Sequence, residues 1–206
     1  MTEAAARLDG GFAEVGAGAW LMGRGQPAAF LGSAVRRRRR GMFLRDRGSL
    51  DLVETTAAAK CADARRPFLT HIPCAAPISA VSSKVLVAPA CAWSGAETVK
   101  VVPMSSRGAL CATLFGGEWV VMATASRTLR LQVEDGGTIS VRPEAVVAWT
   151  GKRPTGFCPR LGIWDVILPR GPRDLLLHFH GPCLVWVEGA IAESRIAKVM
   201  RRNYGA

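Results

Sequence analysis

A chain of 206 residues, 49% of them hydrophobic, is long enough to bury a proper core as one domain, or as one domain with an appended segment, and would be cramped as two large domains. Its apolar runs are short and strand-like, and Arg24, Gln26 and Pro27 interrupt the segment from Val15 to Val35, so no membrane span is expected. The formal charge of +11 is spread out, net +5 over Met1 to Ile72 and net +6 over the remainder. That distribution suits a solvated basic surface and leaves a polyanion as the alternative partner.

The first residues include Glu3, Asp9 and Glu14 and no compact apolar block ending in a cleavage site. A secretory signal and an acid-poor mitochondrial presequence are therefore disfavoured, and a cytoplasmic protein is expected. Residues 1–75 lack a sustained period and read as an irregular basic segment, with short strands at Met42 to Leu44 and Leu50 to Glu54 as candidates. Arg36, Arg37, Arg38, Arg39 and Arg40 form the candidate nucleic-acid contact, weighed against a solvated, exposed block of like charge.

Residues 76–190 read as a repeated β domain. From Lys84 onward short runs of Val, Ile, Leu, Thr and Trp alternate with Gly, Pro and Asp, which is an all-β signature. Strands are expected near Lys84 to Ala88, Val99 to Val102, Leu110 to Phe115, Trp119 to Thr124, Thr128 to Glu134, Thr138 to Val141, Val146 to Thr150, Ile163 to Leu168, Leu175 to Phe179 and Leu184 to Val187. Asp135-Gly136-Gly137 is a hairpin turn, because Asp and Gly readily take the positive φ such turns need. Residues 191–206, with Ile191, Ile196, Val199 and Met200 among basic residues, read as a short basic amphipathic helix.

An internal repeat organises the β region. Val87-Ala88-Pro89-Ala90 followed by Trp93 recurs as Val141-Arg142-Pro143-Glu144 followed by Trp149, and downstream Phe115-Gly116-Gly117 recurs as Phe179-His180-Gly181. Each copy has too few short strands to bury its own apolar face, so two copies are expected to pack as a twofold-repeated β-sandwich or a rolled, double-stranded β-helix-like domain. Phe179 and Trp149 then belong to the core. Gly116 and Gly181 are expected at sharp turns or close backbone approaches.

The run from Leu175 to Val187, with Phe179, Gly181, Pro182 and Val185, resembles the Phe-x-Gly-Pro-Gly-x-Val signature of the altered inheritance of mitochondria protein twenty-four family. Asp135 to Ala148, with Val141, Pro143 and Ala148, is similar to a second segment of that family. Cys183 stands where the signature has its second Gly, and Glu144 where the second segment has Gly after proline. The resemblance covers about half the chain. It implies a β fold like that of the tryptophan RNA-binding attenuation protein, association through β surfaces, and no established catalytic residues.

Chemistry-bearing residues are sparse. His178 and His180, two apart in a strand, share one face as a metal pair would, yet Glu188 lies too far along for a third ligand, and hydrogen-bonded surface histidines are the expectation. Cys61, Cys74, Cys91, Cys111, Cys158 and Cys183 form no CxxC pair and read as thiols, mostly buried, rather than as a zinc or redox framework. There is no Gly-x-Ser-x-Gly elbow, Glu134 and Asp135 adjoin in a turn, and the glycines from Gly10 to Gly18 precede no Lys-Ser or Lys-Thr. Trp149, Trp164 and Trp186 could stack bases, although tryptophans in a β repeat more often fill a core. The sequence thus reads as a non-enzymatic binding or scaffold protein with no cofactor or metal, homo-oligomeric and open to a further protein partner. A basic RNA-binding oligomer is the alternative.

Overall fold

The computed structural model describes residues 7–9, 11–23, 29–32, 34–37, 50–63, 65–99, 110–157 and 176–189. The fold is all-β, built from antiparallel strands linked by hairpins and, among the described residues, three short 3₁₀ turns. The chain divides into two compact units, Met1–Thr98 with Cys111–Ala125, and Val99–Leu110 with Ser126–Ala206. The expected strands at Met42 to Leu44 and Ile163 to Leu168, and the expected helix over residues 191–206, lie outside the described residues.

The strands are β1 (Arg7–Asp9), β2 (Phe12–Val15), β3 (Gly18–Gly23), β4 (Ala29–Leu31), β5 (Ala34–Arg37), β6 (Leu50–Thr55), β7 (Ala59–Ala62), β8 (Phe68–Pro73), β9 (Ile78–Val81), β10 (Val85–Pro89), β11 (Trp93–Val99), β12 (Leu110–Phe115) and β13 (Trp119–Thr124). They continue as β14 (Thr128–Val133), β15 (Thr138–Val141), β16 (Val146–Thr150), β17 (Thr155–Phe157), β18 (Leu176–His180) and β19 (Cys183–Glu188). The 3₁₀ turns are η1 (Ser82–Lys84), η2 (Ala90–Ala92) and η3 (Pro143–Ala145).

One pairing pattern recurs across six consecutive strands: first with sixth, second with fifth, third with sixth, fourth with fifth. It holds for β8 to β13, through β8·β13, β9·β12, β10·β13 and β11·β12. It holds again for β14 to β19, through β14·β19, β15·β18, β16·β19 and β17·β18. The same pattern occurs a third time in β2 to β7, through β2·β7, β3·β6, β4·β7 and β5·β6. Residues 12–62 therefore hold a full copy within the segment expected to be irregular.

Registers superpose the copies residue by residue. Thr55 and Phe115 end the fifth strand of their copies and Phe179 lies one residue before the end of its own. Each stands four residues before the opening of the sixth strand, at Ala59, Trp119 and Cys183 respectively. Those three residues pair with Val15, Pro73 and Val133, at the ends of the three first strands. Two residues further on, Cys61, Val121 and Val185 are equivalent, and all three are fully buried. The Phe115 and Phe179 match in the sequence coincides with this register. The Val87-to-Ala90 match does not: it sets β10, η2 and β11 against β15, η3 and β16, one strand out of step. A strand, 3₁₀ turn and strand succession occurs at η1, η2 and η3 alike, so a local proline match cannot tell one from the next.

Within the first unit, β3 also pairs with β10 and joins two copies. The strands β10 and β13 are central there and buried along their whole length, as continuous apolar runs such as Val85-Leu86-Val87 and Trp119-Val120-Val121 require. Trp20, Met22, Val53, Cys61, Leu86 and Trp119 share its core, with the Trp20 and Trp119 rings 5.8 Å apart. In the second unit Trp149 and Phe179 meet edge-on at 5.8 Å.

Candidate functional site

Strand alternation along β18 turns Leu177 and Phe179 inward and His178 and His180 outward. Across the β15·β18 ladder each histidine faces a hydroxyl residue: His178 Nδ1 lies 3.3 Å from Ser140 Oγ, and His180 Nδ1 lies 3.2 Å from Thr138 Oγ1. Thr155 of β17 stands opposite His178 on the other side. Among the described residues no three His, Cys, Asp or Glu side chains converge as a metal-binding group.

The signature residues are packing elements. Trp149 is fully buried and Phe179 is 1% exposed. Pro143 occupies the first turn of η3, where its fixed φ suits a helical start and its missing N–H removes no bond. Gly181 donates its N–H to the Gly137 carbonyl at 3.0 Å, and Gly137 donates to the Glu134 carbonyl at 2.9 Å. The Phe-x-Gly-Pro turn thereby rests on the Asp135-Gly136-Gly137 hairpin so closely that a Cβ at Gly181 would fall on the Glu134 carbonyl. Pro182 follows on the surface. The left-handed φ of the equivalent turn in the preceding copy belongs to Gly117, at +80°, while Gly116 has open space around it.

Burial also governs the thiols. Cys61 donates its S–H to the Ala13 carbonyl at 3.4 Å, and desolvation pushes its pKa up to about 12. The same cause raises Cys74 to about 11 and Cys183 above its usual value. A neutral, enclosed thiol is a poor nucleophile. A thiol-reactive reagent added to the native protein is expected to modify exposed Cys91 quickly and Cys61 and Cys74 only on unfolding; Cys91→Ser should remove one fast-reacting equivalent. Unfolded Cys61 would release its proton near 9.0, whereas the folded chain keeps it to about 12. The unfolded state thus binds fewer protons in that window, and stability contributed by this group falls as pH rises from 9.0 towards 12.

His71, on the surface of β8, lies over Trp119 with ring centroids 5.6 Å apart, and partial burial holds its imidazole below the ordinary value of 6.5. Tryptophan fluorescence is expected to change on acidification with a midpoint below 6.5, and His71→Gln should remove that step. The unfolded chain takes up this proton first. Stability linked to His71 is therefore complete above pH 6.5 and declines as pH falls from 6.5 through the lower folded value.

For nucleic acid, Arg36 and Arg37 lie in β5, opposite Val53 and Leu52, while Arg38, Arg39 and Arg40 lie outside the described residues. Trp149 and Trp186 are buried and offer no stacking platform, and Trp164 lies outside the described residues. Sequence reasoning missed a sheet edge. Among the described residues β14 pairs on one side only, with β19, and Arg130 and Gln132 are exposed along it. The equivalent strand β2 carries β1 on that same outer edge. The alternating Thr-Leu-Arg-Leu-Gln-Val of β14 announces a strand, but only the pairing shows which strand is left at the rim.

No family model matches the chain, and no curated protein does. Among solved structures, the chain is similar to protein SPYM3_0169 from Streptococcus pyogenes, determined by structural genomics, at 12% identity and a TM-score of 0.63. The match covers 97% of this chain and 98% of that one, and at this identity the likeness is one of fold.

Proposed function

We propose that this protein is a non-enzymatic binding or scaffold protein that self-associates through β surfaces and acts in the cytoplasm. The observation that carries the reading is the rim strand β14, which has a neighbour on one side only among the described residues while its counterpart β2 has one on both. A strand edge presents a row of backbone donors and acceptors ready to pair with another chain. Supporting it, the residues a catalytic reading would use are engaged otherwise: the two outward histidines hydrogen-bond to hydroxyls, and three thiols are shielded. The resemblance to the altered inheritance of mitochondria protein twenty-four family, with its fold like that of the tryptophan RNA-binding attenuation protein, points the same way. Light scattering of the purified chain is expected to show particles larger than 22.0 kDa that grow with concentration. A 22.0 kDa particle across the whole range contradicts the reading.

A basic RNA-binding oligomer is favoured by one observation, the net charge of +11. Retention of RNA that weakens steeply as salt is raised would support it, because phosphate contacts release counterions.

A further inference from the structure

We infer that β14 pairs antiparallel with β14 of a second copy of this chain, with Leu131 at the twofold axis. The inference rests on the self-association reading above and names its surface and register.

The chain supplies its own precedent. On the first copy, β1 covers the outer edge of β2 with Arg7 opposite Glu14, Leu8 opposite Ala13 and Asp9 opposite Phe12. By the shared register, Glu14, Ala13 and Phe12 correspond to Gln132, Leu131 and Arg130 of β14. An extended Arg-Leu-polar segment laid on β14 in the manner of β1 would meet Gln132, Leu131 and Arg130 in that order. Arg130-Leu131-Gln132 is itself such a segment. A second β14, running antiparallel, puts its arginine opposite Gln132, its leucine opposite Leu131 and its glutamine opposite Arg130.

Symmetry narrows the choice further. A twofold axis relating two antiparallel strands stands perpendicular to the sheet, so directly opposed residues share a face and the axis passes midway between the two copies of one residue. Centring on Arg130 would oppose two guanidinium groups, which is destabilising. Centring on Gln132 leaves only Leu131–Val133 overlapping within the strand. Centring on Leu131 pairs Leu129 with the partner's Val133, and Arg130 with the partner's Gln132. It also brings Arg130 diagonally towards the carboxylate of the partner's Glu134, which in its own chain accepts a hydrogen bond from Gln132 Nε2 at 3.0 Å. β8 offers no such segment, having Thr70-His71-Ile72 at the corresponding positions and Pro73 at its end.

The test uses the full chain carrying Cys91→Ser, with and without Leu131→Cys, and a short bismaleimide. Cross-linking to a covalent dimer is expected with Leu131→Cys and not with Leu129→Cys, whose two copies sit well apart in this register. Gln132→Arg, which opposes arginines at two symmetric positions, should weaken association about tenfold, and adding Arg130→Glu should restore it. Each variant's thermal melt shows that the fold is retained. If the wild-type chain associates, yet Leu131→Cys gives no dimer beyond its background and Gln132→Arg changes nothing, the strand assignment is wrong while the scaffold reading stands. If the wild-type chain is monomeric at every concentration, both fall.

Discussion

Trp149→Ala is expected to destabilise the protein by about 3 kcal/mol, at the lower end of the roughly 3–5 kcal/mol typical of truncating a buried aromatic. Trp149 is fully buried and packs edge-on against Phe179, so its loss leaves a cavity lined by a ring that has lost its neighbour. One effect runs the other way. Trp149 Nε1 has no hydrogen-bond partner among the described residues, and removing a buried unsatisfied donor returns about 1–3 kcal/mol. The cavity still wins, because it forfeits the whole indole. Trp149→Phe separates the two contributions: it keeps aromatic contact, removes the donor, and should stay within about 1.5 kcal/mol of the wild type. For a chain of this length the Ala variant should melt roughly 6–12 °C lower. An unchanged melting temperature would take Trp149 out of the core.

Gly181→Val is expected to damage the fold at least as severely, for a different reason. The Gly181 φ is not in the left-handed region, so the constraint is space alone: a Cβ there would lie on the Glu134 carbonyl, a backbone group that cannot swing aside. Accommodation requires the turn after β18 to lift from the hairpin between β14 and β15, breaking the Gly181-to-Gly137 hydrogen bond. Overpacking of a well-filled site costs about 1–3 kcal/mol, and a backbone collision exceeds the side-chain case. Gly181→Ala should already show most of the loss. Gly116→Ala is the matched control, since nothing lies within 4 Å of its Cβ position and its φ is unrestricted, and it should fall within about 0.5 kcal/mol of the wild type.

The second and third copies are legible in part, since no strand is expected from sequence at β8, β9 or β17, and what is legible rests on turns that carry the chemistry turns need. Gly116-Gly117 and Gly181-Pro182 mark the hairpins after two phenylalanines, and Asp135-Gly136-Gly137 marks another. The first copy hides behind residues that satisfy the same geometry without advertising it. Its fifth strand ends on Thr55 rather than Phe, and its hairpin reads Thr56-Ala57-Ala58, with neither Gly nor Pro. Thr55 is buried nonetheless, its hydroxyl hydrogen-bonded to the Gly16 carbonyl at 2.7 Å and to Trp20 Nε1 at 2.9 Å. A polar cluster there does what an aromatic does in the other two copies. The following strand, Ala59–Ala62, is too short and too Ala-rich to register as β by propensity, and ladders on both sides hold it in place.

The outward pair His178 and His180 is likewise legible from strand alternation, whereas Ser140 and Thr138 as their partners are not, since they lie 38 and 42 residues away in sequence. The rim position of β14 is a property of pairing order alone. Six residues of alternating character look alike at the centre of a sheet and at its edge when they are read in isolation.

Hydrogen exchange of the wild-type chain, followed segment by segment at low and high protein concentration, tests self-association through a β surface most directly. The backbone amides of residues 128–133 are predicted to gain protection as concentration rises, while those of the central strand β13 stay constant. Exchange that is independent of concentration along the whole chain would contradict the account.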